Sequence, residues 1–308
     1  MIVRKVIKKL YRGLNNWATG TAWFENTADF AGCKRIAGNS RFDLDLVNLG
    51  SSSGYYAFNY EATGVEGLNL ATPKQSLWED YEMIRNYFSY LHEGAVVLIP
   101  LCLFTALEGE DAVFPDKYYV LFQSESIPNY SWKRKLQVLN IYNNPIKYIP
   151  AYSFIREVFR PLKKRTKSLS TYQLADDANR WIEDWKKEFS IIDFNRPLSL
   201  RNQDNYTSAS DMLNRIVQFC YSRKFRPVIV LPPVSKSLSS LYDDKMRKLL
   251  ISDFVYKSVS DDTPFLNYLD DEQFIDDSLF RNAFILNEKG ASEFTQRVIS
   301  DLETIKYI

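Results

Sequence analysis

The sequence predicts an α/β fold: a three-layer α/β/α sandwich around a parallel sheet of about five strands. Three observations predict it. Short apolar runs that end in Gly or Pro turns alternate with stretches of helical spacing, the rhythm of strand–helix–strand crossovers. Two of the runs, GAVVLIPLCLF (94–104) and RPVIVLPP (226–233), are continuously apolar, as expected of strands covered on both faces. A chain of 308 residues, 45% hydrophobic and 15% aromatic, also has enough apolar surface to fill a large core.

Element by element, residues 1–16 place Val3, Ile7, Leu10 and Leu14 on one helical face, with Arg4, Lys5, Lys8, Lys9 and Arg12 elsewhere. The leading expectation is a surface helix packing its apolar stripe on its own domain; the alternative is a helix lying on an anionic membrane. DLVNLG (45–50) and GLNLA (67–71) read as short strands, and SLWEDYEMIRNYFSYL (76–91) as a helix leading to the strand at 94–104. SASDMLNRIVQFCYSRK (208–224) reads as a helix with Ser210 or Asp211 near its cap, before the strand at 226–233. A helix at about 237–257, a strand PFLNYL (264–269) and a last helix from Asn287 to about Lys306 complete the series.

Residues 105–206 break the rhythm. They are rich in Tyr, Phe, Trp, Lys and Arg and include the basic cluster RPLKKRTK (160–167). A segment of that length is too long for a plain connection, so it is expected to be a helical, aromatic and basic insertion. It would sit within a single domain, 1–308, near the carboxyl ends of the strands, where α/β sheets bind ligands.

The 39 Lys and Arg against 38 Asp and Glu leave a net charge of +1, which gives no global reason to expect nucleic acid as a partner. Cys33, Cys102 and Cys220 are widely spaced and odd in number, which predicts free thiols in a reducing compartment. The basic N-terminus lacks a signal-length apolar run, and the sequence lacks a membrane-spanning one. The expected location is therefore the cytoplasm, with contact at the inner face of the cell membrane as the variant that the N-terminal helix suggests. His92 is the single histidine, so any histidine base is that residue or comes from another chain. No metal site and no cofactor are expected.

His92 precedes the strand at 94–101, whereas a catalytic group after the first strand stands at the opposite edge. About five residues of strand, roughly 17 Å, separate the two edges. His92 is thus expected to close a helix next to the turn HEG.

NLGSSSGYY (48–56) places hydroxyls and backbone N–H groups just after a strand, an arrangement suited to a nucleophile with an oxyanion donor or to ordinary turn chemistry. The order LGSSSGYYAFNY, GLNLATPKQSLWEDYEMI, AVVLIPL, a long insertion, PVIVLPPV and FIDDSLFRNAFILNEKGASEFTQRV resembles the SGNH/GDSL hydrolase superfamily. It is most similar to the branch of bacterial cell-surface polysaccharide O-acyltransferases, over roughly residues 43–104 and 225–305. That resemblance puts Ser52 at the nucleophile position and Ser51 at the position before it. It also puts Lys74 where the family commonly has an oxyanion-hole glycine, and implies ligand-facing roles for Ser51, Ser53, Asn69 and Lys74. In the last block the family's Asp and His positions are Asn282 and Ile285.

Isoleucine accepts no proton, and a serine without a neighbouring base is a poor nucleophile. The expectation is a protein of a capsule, lipopolysaccharide or exopolysaccharide pathway that lacks Ser-His-Asp catalysis and binds a glycan, an acyl-carrying ligand or a protein partner. One alternative is an active O-acyltransferase or esterase that uses Ser52 with a base from Lys74 or from the acidic loop containing Asp270, Asp271, Glu272, Asp276 and Asp277. The other is a peripheral membrane or assembly protein using the basic N-terminus.

Overall fold

The computed structural model describes residues 2–61, 63–110, 112–158, 170–193 and 196–308; the basic run at 160–167 lies outside them. In chain order the elements are α1 (Ile2–Ala18), α2 (Cys33–Ala37), β1 (Leu44–Asn48), α3 (Ser52–Ala57), β2 (Gly67–Asn69), α4 (Leu77–Tyr87) and β3 (Leu91–Pro100). Then follow α5 (Tyr118–Leu121), α6 (Trp132–Asn143), α7 (Ala151–Val158), α8 (Thr171–Glu188), α9 (Leu200–Ser222) and β4 (Arg226–Leu231). The chain ends with α10 (Lys236–Ser239), α11 (Asp244–Arg247), α12 (Asp253–Ser258), β5 (Phe265–Asn267) and α13 (Glu288–Thr304).

The chain divides into two compact units, one formed by Met1–Asn39 with Asp111–Arg165 and the other by Ser40–Glu110 with Thr166–Ile308. The insertion expected over 105–206 is therefore split. Its first half joins the N-terminal segment in a helical unit, while α8 and α9 belong to the sheet-bearing unit.

The sheet-bearing unit is the expected α/β/α sandwich. Five strands run in the order β2-β1-β3-β4-β5, and every neighbouring pair is parallel. Because side chains alternate between faces, Leu46, Val96, Leu98, Val228 and Val230 point to one side. They pack there with Phe294, Val298 and Leu302 of α13. Val47, Val97, Ile99 and Ile229 are equally buried on the other side, where α9 packs on β4, α4 and α12. Each such side chain taken from water contributes about 1.5–3 kcal/mol.

Helix ends follow the expected side-chain chemistry. Ser76 and Glu79 form a capping box on α4, and Asn287 accepts a 3.0 Å hydrogen bond from Gly290 N–H at the start of α13. Gly290 is needed for contact as well: a Cβ there would lie 2.2 Å from the Leu279 carbonyl oxygen. The helix expected at 237–257 is instead broken into α10, α11, a π-helical turn at Lys248–Ser252, and α12. α9 starts eight residues earlier than its apolar spacing suggested, where Ser199 accepts from Asn202 N–H at 3.2 Å, so Ser210 and Asp211, expected near the cap, lie inside the helix.

His92 lies inside β3 and does not close a helix. Its Nε2 is 3.1 Å from Asp45 Oδ1 and its Nδ1 is 2.7 Å from the Glu93 carbonyl. The Glu93 carbonyl is the larger cause that holds its pKa above the usual histidine value, with Asp45 adding to it against partial desolvation. The Asp45 contact fixes it at the amino end of β1, away from the turn that follows the carboxyl end of that strand.

In the helical unit, α1 packs through a narrow face that the apolar spacing did not single out. Tyr11 Oη donates to Asn144 Oδ1 at 3.1 Å, Ile146 N–H donates to Asn15 Oδ1 at 3.2 Å, and Ala18 is buried. The apolar stripe expected to pack inward faces outward: Ile7, Leu10 and Leu14 are 60%, 62% and 46% exposed. A tyrosine, an asparagine and an alanine together supply the shape and the hydrogen bonds of the contact, and the stripe is left uncovered. Elsewhere in this unit Phe24, Phe30 and Tyr142 form an aromatic cluster, and the fully buried Lys117 ammonium stands 3.7 Å from Asp29.

Candidate functional site

The turn after β1 begins with Gly50 at φ +107°, where a Cβ would come within 3.2 Å of the Pro100 carbonyl oxygen. Its N–H donates 2.7 Å to Asp80 Oδ1, which also accepts 2.6 Å from Gln75 Nε2; Gln75 Oε1 in turn accepts 2.8 Å from Thr72 Oγ1. Asp80 is 2% exposed. Burial pushes its carboxyl up to about 7, against the two hydrogen bonds that favour the charged form and with the help of nearby Glu79. No cation is among the groups that set this pKa.

Ser51 precedes α3 and Ser52 is its first residue, with Ser53 buried behind. The Ser52 hydroxyl is half-buried, and no hydrogen-bond partner meets it among the described residues. The helix it opens has only six residues.

Asn69 is 4% exposed and its side chain is directed at the frame. Its Nδ2 donates to the carbonyls of Gly54, Tyr55 and Phe58 at 3.3, 3.2 and 3.1 Å, and its Oδ1 accepts from Ala71 N–H at 3.0 Å. Asn48, fully buried at the end of β1, donates to Asn69 Oδ1 at 3.1 Å and accepts from Tyr60 Oη at 2.9 Å. The two asparagines tie α3 and its exit to the sheet. Lys74 is solvent-exposed, and its backbone sits at φ +59°, in the left-handed region that glycine favours.

At the far end of the chain, Asn282 Oδ1 accepts from the N–H groups of Phe284 and Ile285 at 3.0 and 2.9 Å, closing a tight loop. Ala283 N–H donates to Asp177 on α8 at 3.0 Å, and Phe284 packs against Trp181 and Trp185 of the same helix. Ile285 is 9% exposed and points into the narrow space that Ser53 also lines.

That space lies at the carboxyl edge of the sheet. Cys102, Pro232, Tyr242 and Leu286 complete its wall, and its interior has room for about one water molecule. The Tyr242 hydroxyl is buried and has no hydrogen-bond partner among the described residues. Burial holds its pKa well above the usual tyrosine value, and the Cys102 thiol is likewise pushed up to about 12. Neither group supplies a nucleophile or a base at neutral pH.

Three of the five acids of the loop are already engaged. Asp270 pairs with Arg247, Asp271 stands 3.5 Å from Arg297, and Asp276 accepts 2.8 Å from Ser278 N–H. Among the described residues no group of three His, Cys, Asp or Glu side chains is placed to hold a metal ion, and no helix is long and apolar enough to cross a membrane.

The turn at 50–53 and the loop at 282–285 thus meet at one sheet edge, through Ser53 and Ile285. Lys74, Asn69 and the acidic loop are directed elsewhere. Reading the sequence missed Asp80, because an acid in the first turn of a helix is ordinarily a solvated dipole partner. It also missed Tyr242, which had no motif to mark it. No protein-family model matches the chain, and no curated protein matches it.

Proposed function

We propose that this is an SGNH-like protein of a bacterial surface-polysaccharide pathway that works without Ser-His-Asp catalysis, as a binder of a glycan or acyl-carrying ligand or as a partner protein. The pathway and the cytoplasmic setting rest on the sequence resemblance and the free cysteines. The observation that carries the non-catalytic reading is the state of the carboxyl edge. Ile285, which the resemblance puts at the proton acceptor's position, accepts no proton, Asn282 is spent on backbone N–H groups, and Ser52 has no base within hydrogen-bond reach among the described residues.

Two measurements test this reading. A serine-directed fluorophosphonate is expected to leave Ser52 unlabelled, and Ser52→Ala is expected to change no ester hydrolysis. Labelling that disappears in Ser52→Ala overturns the proposal. The paired change Asn282→Asp with Ile285→His then asks whether the cleft is otherwise intact: hydrolysis gained by this variant would support an ancestral ester site at this edge.

A second reading is ester chemistry at Ser52 with a carboxylate base, for which Asp80 is the candidate because its pKa of about 7 suits proton transfer near neutrality. It ranks second because the hydrogen bonds of Asp80 go to Gly50 and Gln75 rather than to Ser52. Labelling of Ser52 that Asp80→Asn abolishes would promote it.

A further inference from the structure

The net charge of +1 conceals an uneven division. The helical unit carries seventeen Lys and Arg against six Asp and Glu, and the sheet-bearing unit twenty-two against thirty-two. The first is therefore strongly basic, and its helices leave large apolar side chains uncovered. On α1, Val6, Ile7, Leu10, Leu14 and Trp17 are 51%, 60%, 62%, 46% and 36% exposed. At about 100° per residue these five fall within a single arc about 100° wide. Lys5, Lys8, Lys9 and Arg12, all exposed, occupy the opposite arc, and α1 contains no acidic residue. Among the described residues α1 packs on the rest of the unit through the strip of Tyr11, Asn15 and Ala18 and, at its carboxyl end, through one edge of Trp17. Trp17 stands edge-on to Phe154 at 5.2 Å, which joins α1 to α7, where Ile155 and Val158 are again more than half exposed.

We propose that the helical unit docks on an anionic lipid surface, with α1 lying in the headgroup plane. The apolar arc would enter the acyl boundary while the lysines meet phosphate and carboxylate headgroups. Charge decides between this occupant and the others. A second copy meeting it through the same face would bring two strongly basic surfaces together, and a nucleic acid would answer the lysines while leaving the apolar arc in water. At about 1.5 Å per residue, α1 is roughly 25 Å long and carries charge along its length, so it lies on a bilayer and does not cross it. The proposal is independent of what Ser52 does.

The test is co-sedimentation of the full chain with large vesicles, either phosphatidylcholine alone or an equal mixture with phosphatidylserine, at low ionic strength and again with added salt. Binding is expected on the mixed vesicles only and is expected to fall with salt. Lys8→Ala and Lys9→Ala should each weaken it about fivefold, and Leu10→Glu with Leu14→Glu should abolish it. All four side chains are exposed, so the circular dichroism spectrum and melting curve should stay those of the parent, which separates lost docking from lost folding. Failure to sediment with mixed vesicles overturns the proposal. So does equal binding to both vesicle types, or binding that survives the double glutamate change. Self-association removed by that double change, or retention on DNA without vesicle binding, would assign the surface to another occupant and overturn it equally.

Discussion

Asp80→Asn isolates a single buried charge. In the native protein the carboxyl is pushed up to about 7 from an ordinary value of 3.8, chiefly by burial. The sign follows from linkage: a carboxyl whose folded pKa is raised favours the folded state most at low pH, below its unfolded pKa. That advantage is lost as pH rises through the folded value. A difference of about three pKa units at about 1.4 kcal/mol each amounts to about 4 kcal/mol, an upper figure for a group fully withdrawn from water.

Asparagine keeps an acceptor for Gly50 N–H and Gln75 Nε2 and never ionises, so the turn geometry should survive. Urea unfolding of both proteins at several pH values from 4 to 8 supplies the comparison. The variant should match the parent near pH 4 and become progressively more stable than it, by up to about 4 kcal/mol, above pH 7. Taking the difference between the two proteins cancels the titration of all other groups. A difference that stays flat across this window would refute the account of a buried, neutral Asp80. A variant less stable at every pH would show that the charged form is the one the fold needs.

Two further predictions concern packing. Gly290→Ala places a methyl group 2.2 Å from the Leu279 carbonyl oxygen and should lower stability by about 1–3 kcal/mol, seen as a drop in Tm. An unchanged Tm would mean that α13 moves freely against that loop. Tyr242→Phe removes a buried hydroxyl that lacks a partner among the described residues and should raise stability by about 1–3 kcal/mol in the ligand-free protein. A loss of stability would show that a water in the adjoining space satisfies that hydroxyl.

The order of strands and helices was legible because a strand buried on both faces leaves a plain mark: the runs at 94–104 and 226–233 became β3 and β4 at the centre of the sheet. Periodicity also located α1, but it reports which residues share an arc, not which arc finds a partner. Tyr11 and Asn15 won that contact through hydrogen bonds to a segment more than 130 residues away. The division of the long insertion was hidden for the same reason, since residues 111–165 pair with the N-terminal segment across an intervening stretch of the other unit. At the candidate site, Asn282 and Ile285 were visible as letters. What they do instead depends on α8, whose Asp177 and tryptophans hold the loop from outside the motif.

The contact between Tyr11 and Asn144 spans 133 residues of chain. At a synthesis rate of about 5–20 residues per second, roughly seven to twenty-seven seconds separate the appearance of the two side chains. For that interval α1 has its lysines and its apolar arc but not the segment at 144–146 that accepts from Tyr11 and donates to Asn15. If the proposed lipid docking holds, a nascent chain near such a surface would settle there before the helical unit closes, and attachment would precede folding.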